Sequence, residues 1–302
     1  MTTILAGIAR SSLLVDLSIS TYAGRVQDKT TRDEVTASKG ARSKRAASVY
    51  KSLFADCAEL SAITSFQANL RIEHYRLTKP WSDSGLRLVT YTLLERHRDL
   101  MYHAEQDFWK LVDVFLDKYD TLVAAAAFQL GALFDRSQYP TRDQVRRKFG
   151  FHLHYTPLPK AGDFRIDIEN EVQQDLAKQF NDMMAERERV IMQDSWDKLH
   201  AAISRIVKQL APREGRRGKI YETLVTDARD LCDLLGHFNV TGDAKLEKVR
   251  NDLEDMLTGI TADALRTEED TRAIVHNKAK ALLDSYEWGM GEVSEEDFAD
   301  AA

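Results

Sequence analysis

The chain has 302 residues, 43% hydrophobic and 30% charged, with a net charge of -6 and only 14 glycines. That composition excludes disordered, collagen-like and disulfide-rich classes, and it describes a globular, helix-rich protein long enough to bury a sizeable core as one large domain or two small ones. Cys57 and Cys232 stand far apart on helical patterns, which implies reduced thiols and a cytoplasmic setting, and no run reaches the ~20 apolar residues that a membrane span requires.

At the start of the chain, within residues 1–24, Leu13, Val15, Leu17, Ile19 and Thr21 alternate with Leu14, Asp16, Ser18 and Ser20, as a half-buried strand does. A basic loop is expected over residues 25–45. Eight cations stand between positions 25 and 51, Arg42, Lys44 and Arg45 among them, against Asp28, Asp33 and Glu34. Large apolar side chains are sparse there, so the stretch reads either as a solvated loop or as a contact for phosphates.

From residue 46 to 79, Val49, Leu53, Leu60, Ile63, Leu70 and Leu77 return to one helical face, and Pro80 ends the helix. A longer helix is expected over 85–134, carried by Leu86, Val89, Leu93, Leu100, Phe108, Phe115 and Leu122, with an interruption near 96–99. Unbroken, it would run roughly 70 Å. Residues 169–210 repeat the pattern through Leu176, Phe180, Ile191, Leu199 and Ile203, with Glu186, Glu188 and Asp194 read as a solvated face. The two long helices predict an antiparallel hairpin inside a domain spanning 46–211. Residues 212–288 predict a C-terminal helical bundle with Thr241, Asp243, Thr261 and Asp263 as caps. Residues 289–302 predict a disordered acidic tail around Phe298, suited either to solubility or to docking in a basic, apolar groove. The fold class is therefore mainly α, with a long helical hairpin, a small β element and a C-terminal bundle.

The helical patterns stop between 140 and 168, which hold three of the five prolines. Phe149, Phe151, Leu153 and Tyr155 share one side of an extended chain, and Gly150, His152 and His154 the other. With Phe164, Ile166 and Ile168 they predict a β-hairpin over 148–168. Its aromatic face reads in two ways. It can pack on the helices, or it can join Arg142, Arg146, Arg147, Lys148 and Arg165 as a platform on which single-stranded nucleic acid stacks. His152 and His154 point the same way, as two metal ligands would, but no third ligand is identifiable. His97 and His103 share neither a helical face nor a ligand set. No GxxxxGK[ST], strand-borne GxGxxG or GxSxG pattern occurs, so no catalytic residue and no cofactor is assigned.

Three stretches resemble an uncharacterised protein family of bacteriophages and plasmids: residues 14–25 (Leu14, Val15 and Asp16 through to Gly24 and Arg25), residues 115–119 (Phe115 to Tyr119), and residues 139–151, where Tyr139, Pro140, Val145, Arg146, Phe149 and Phe151 carry the likeness. Members of that family often stand beside a MoxR-type AAA+ ATPase and a von Willebrand-type domain protein. The resemblance covers residues 10 to 210 and implies a phage or mobile-element protein of the bacterial cytoplasm that works beside an ATPase. The residues themselves favour a helical scaffold or adaptor that self-associates, because long amphipathic helices present more apolar surface than a monomer covers. Nucleic-acid binding is the contending reading, and a hydrolase with a cryptic carboxylate or histidine site the third.

Overall fold

The alternating segment near the N-terminus forms strand β1 (Ser12–Ser20), which buries Leu14, Val15 and Ile19. A computed structural model describes residues 11–43, 45–82, 85–158, 170–212 and 220–286, without the side chains of 170–174. The architecture is mainly helical, with ten helices and a small amount of β structure among the described residues. These residues include no helix long and apolar enough to cross a membrane. The chain divides into two compact units. Unit one takes residues up to Leu14, Leu77–Leu94 and Thr156 onward; unit two takes Val15–Arg76 and Glu95–Tyr155. The chain passes between these two units at four points.

In unit two, the basic stretch expected as a loop is built. Strand β2 (Arg25–Gln27) and helix α1 (Lys29–Ser38) lead to strand β3 (Tyr50–Ser52), which pairs antiparallel with β2, Val26 opposite Lys51. The reason is a cap: the Asp28 carboxylate accepts from Thr31 N at 3.0 Å and from Thr31 Oγ1 at 2.8 Å, occupying an amide that would otherwise lack a partner. The same two bonds hold its carboxyl below the ordinary carboxylate range. Gly24 makes the β1–β2 turn with a φ of +58°, and a Cβ there would stand 2.9 Å from Leu60 Cδ2. Gly24→Ala is therefore expected to cost about 1–3 kcal/mol, measured as urea unfolding of unit two.

Helix α2 (Ala58–Arg76) is shorter than its sequence pattern suggests, because residues 50–52 are taken by β3. The helix expected over 85–134 is three elements: strand β5 (Arg87–Thr90), helix α3 (Tyr91–Asp117) and helix α4 (Tyr119–Leu130). Its break falls at Lys118, whereas residues 96–99 run through without one. The Leu88, Val89 and Thr90 side chains are all buried, an environment in which packing overrides helix preference. Helices α2 and α3 run antiparallel: Glu59 meets Lys118 at 2.7 Å near one end, and His74 meets His97 at 2.9 Å near the other.

The core of unit two is aromatic. Phe54 lies edge-on to Phe115 and Tyr139, and Ile63, Phe108, Val112 and Phe115 are fully buried around it. Strand β6 (Gly150–Pro157) lies beside β1 in the sheet order. A Cβ on Gly150 would stand 2.8 Å from Ser20 Oγ, so the two strands approach closely there. The second strand of the predicted hairpin falls within 159–169, outside the described residues.

In unit one, strand β4 (Lys79–Pro80) pairs antiparallel with β5, Lys79 opposite Leu88. Strand β4 stands at an end of the sheet order, which explains how Pro80 is accommodated without an N–H. Helix α6 (Asn170–Leu210) has 41 residues, about 60 Å of helix. It packs on α7 (Thr223–Phe238), α8 (Ala244–Leu257) and α10 (Glu269–Asp284), with the short α9 (Ala262–Thr267) between the last two. Leu199, Ile203, Ile206 and Leu210 meet Cys232, Leu253, Leu265 and Val275 in one cluster, and Trp81, Leu88, Leu158 and Ile191 form a second. Two of the four expected caps are present: Asp243 accepts from Lys245 N at 2.8 Å, and Thr261 from Ala264 N at 3.1 Å, whereas Thr241 Oγ1 meets Met192 Sδ at 3.5 Å and Asp263 stands inside the first turn of α9.

Candidate functional site

The segment before β6 is held by its aromatic residues. Tyr139 OH donates to Leu53 O, and Tyr119 OH to Pro140 O, each at 2.7 Å. Thr141 and Gln144 form a capping box at the start of helix α5 (Arg142–Arg146), whose one buried residue is Val145. That single inward position turns Arg142 and Arg146 outward, toward the end of α3. Arg142 pairs with Asp117, and Arg146 with Asp113 at 2.7 Å while lying over the Trp109 ring at 5.4 Å. Lys148 lies over the Tyr22 ring at 5.1 Å, and Arg147 is exposed. Ion pairs as exposed as these contribute about 0–1 kcal/mol each.

The stacking platform loses its rings here. Phe149 and Phe151 are buried, Phe149 edge-on to Phe108 and Phe115, and Phe151 tilted against Phe108. Their faces are spent on the core of unit two, so they cannot receive a base. Tyr155 is hydrogen-bonded to a histidine. Arg42 and Arg45 are exposed, while Lys44, Arg165 and Phe298 lie outside the described residues. His152 and His154 are exposed on the strand face opposite Phe151. The described residues include no group of three or more His, Cys, Asp or Glu side chains able to hold a metal ion.

Two polar clusters emerge that sequence reasoning did not assemble. The first is in unit two: His74 Nδ1 lies 2.9 Å from His97 Nε2, and His97 Nδ1 lies 2.7 Å from Tyr155 OH. Both histidines are buried, His97 fully. Burial draws the His97 pKa down to about 4 and pushes the Tyr155 hydroxyl up to about 12. A signal existed for this cluster. His97 precedes Met101, Ala104 and Phe108 at core spacing on α3, and His74 follows Ile63 and Leu70 at core spacing on α2. A histidine on a buried helical face needs a partner, and each of these supplies the other's.

The second cluster is in unit one. Lys79 Nζ, with no exposed side-chain surface, meets Asp194 Oδ2 at 2.6 Å and lies 4.5 Å from the centre of the Phe238 ring. Lys198 reaches the same Asp194 oxygen at 2.9 Å. Asp194, expected on a solvated helical face, is instead the counter-charge of a buried lysine. Burial lowers the Lys79 pKa to about 8 against the opposing pull of Asp194. Burial also pushes the Asp194 carboxyl up, but the charges and hydrogen bonds of Lys79 and Lys198 together outweigh it and leave the group below the ordinary carboxylate range. Nothing local marks this pair, since 115 positions separate its members. Compared with models of protein families, with curated proteins and with solved structures, the chain matches none.

Proposed function

We propose that the protein is a helical scaffold or adaptor of a phage or mobile element, acting by binding a second copy of itself or a protein partner rather than by catalysis. The observation that carries this reading is the outer face of α4. Phe128 is 90% exposed there. Thr121, Ala124 and Ala125 are exposed on the same helical face, and Leu133 just beyond the helix is exposed as well. A large ring standing out from a face of small, uncharged residues resembles the anchor of a helix–helix interface, where a partner gains apolar burial and little is desolvated at a cost. The resemblance to a family found beside AAA+ ATPases makes such an ATPase the heterologous partner to try first.

Sedimentation over a broad concentration range tests the self-association arm. The wild type is expected to gain mass with concentration, and Phe128→Ser to weaken that association roughly tenfold or more without loss of helical signal. A strictly monomeric wild type would remove self-association and leave the heterologous partner as the reading. With Phe149 and Phe151 buried, a nucleic-acid contact would rest on cations such as Arg42, Arg45 and Arg147 alone. It would be purely electrostatic and would fall steeply with salt.

A further inference from the structure

From Tyr119 to Phe134, through α4 and the exposed residues that follow it, the sequence holds one charged side chain, Asp120. Tyr119, Val123 and Ala126 turn inward and are buried. Thr121, Ala124, Ala125, Phe128 and Ala132 are exposed at spacings of three and four, which places them on one outward face. A solvated helical face ordinarily carries charge along its length. Here charge stands only at the ends. Asp120 is exposed in the first turn of α4, and at the far end the Lys51 ammonium donates to Leu133 O at 2.5 Å.

We propose that two copies of the chain pair through α4 as antiparallel helices about a twofold axis, with each Phe128 ring seated on Ala125 of the other copy. The proposal rests on the self-association reading of this face, and adds to it the orientation and the register. Size and charge fix both. A large ring needs a shallow surface opposite it, and Ala124 and Ala125 supply one a single turn before Phe128. In a twofold pair, seating Phe128 on Ala125 sets Thr121 opposite Ala132 and Asp120 opposite Leu133. The Asp120 carboxylate of each copy then arrives at the end where Lys51 of the other is anchored, and the two helix dipoles run in opposite directions.

The Lys51 charge also reaches Asp28 and Asp135, so its contact with Asp120 is a modest one at the edge of the interface. A parallel pair would set Asp120 against Asp120 and Phe128 against Phe128, with the alanines left uncovered. The antiparallel contact is smaller than permanent dimers bury, and copies therefore exchange when two preparations are mixed.

Site-directed cross-linking on the full chain tests the register. Thr121→Cys and Ala132→Cys place thiols at exposed positions, whereas the native Cys57 and Cys232 are buried. In the antiparallel pair each new thiol lies about 16 Å from its own counterpart, eleven residues along the axis, but beside the thiol of the other variant. A short bis-maleimide is expected to join an equimolar mixture of the two variants and to leave each variant alone unjoined. Joining within either variant alone, or none in the mixture while the wild type still gains mass with concentration, would overturn the antiparallel pair and leave self-association standing. A wild type that stays monomeric removes both. The sign of a charge change gives an independent readout: Asp120→Asn is expected to weaken association on the order of twofold to fivefold at low salt. Tighter association of that variant would overturn the proposal, because relief of repulsion is what a parallel pair gives.

Discussion

Replacing Asp194 by alanine is expected to lower the stability of unit one by about 3–5 kcal/mol, because it leaves the Lys79 ammonium buried without its counter-charge. The loss should appear in calorimetry as a fall of roughly 10 °C in the transition of that unit. Lys79→Met is expected to behave in the opposite way. It removes the buried charge and keeps the volume against Phe238, and it should leave stability within about 1 kcal/mol of wild type or raise it. Lys198, whose side chain is 40% exposed, can then pair with Asp194 alone or turn to water. A combined Lys79→Met, Asp194→Ala chain should recover most of what Asp194→Ala loses. If Asp194→Ala costs less than about 1 kcal/mol, the pair is not the buried, mutually dependent unit described above.

Phe149→Ala is expected to cost about 3–5 kcal/mol in unit two, the range found when a large aromatic side chain is deleted from a close-packed core. Phe149 is 5% exposed and contacts two other rings, so its loss opens a cavity that neighbouring helices cannot readily collapse. Any affinity for single-stranded DNA should be unchanged at a temperature where the variant is folded. The stacking reading expects the reverse: nearly intact stability, with binding weakened by about 1–3 kcal/mol per lost base contact. Urea unfolding and a DNA titration on the same preparation separate the two.

How much of this was legible in the sequence depended on whether the cause was local. The alternation around Val15 and Ile19 marked β1, and the inward spacing of Leu199, Ile203 and Leu210 marked α6 up to its end before Pro212. Caps at Asp243 and Thr261 needed only their own next turn. The failures were tertiary. Leu88, Val89 and Thr90 fit a helical pattern as well as an extended one, and only the pairing of Arg87 and Leu88 with β4 and the burial of all three decide for a strand. The basic stretch around Arg25 and Lys51 looked featureless because its helix depends on one cap and its strands on each other. At the candidate sites, the exposed cations were readable while their carboxylate partners were not. Asp113 and Asp117 lie 33 and 25 positions before Arg146 and Arg142. His74 and His97 were each visible as residues on a buried stripe, but nothing in sequence brought two stripes and Tyr155 together.

The interleaved path of the chain also sets an order in time. Every residue of unit two has been made once Tyr155 leaves the ribosome, whereas unit one joins residues on both sides of it. Lys79 is synthesised 115 residues ahead of the carboxylate that neutralises it, an interval on the order of 10 s at ordinary elongation rates. Throughout that interval its ammonium stays hydrated, and β4 and β5 cannot reach their finished burial. The Lys79–Asp194 pair therefore cannot form until every residue of unit two has been made.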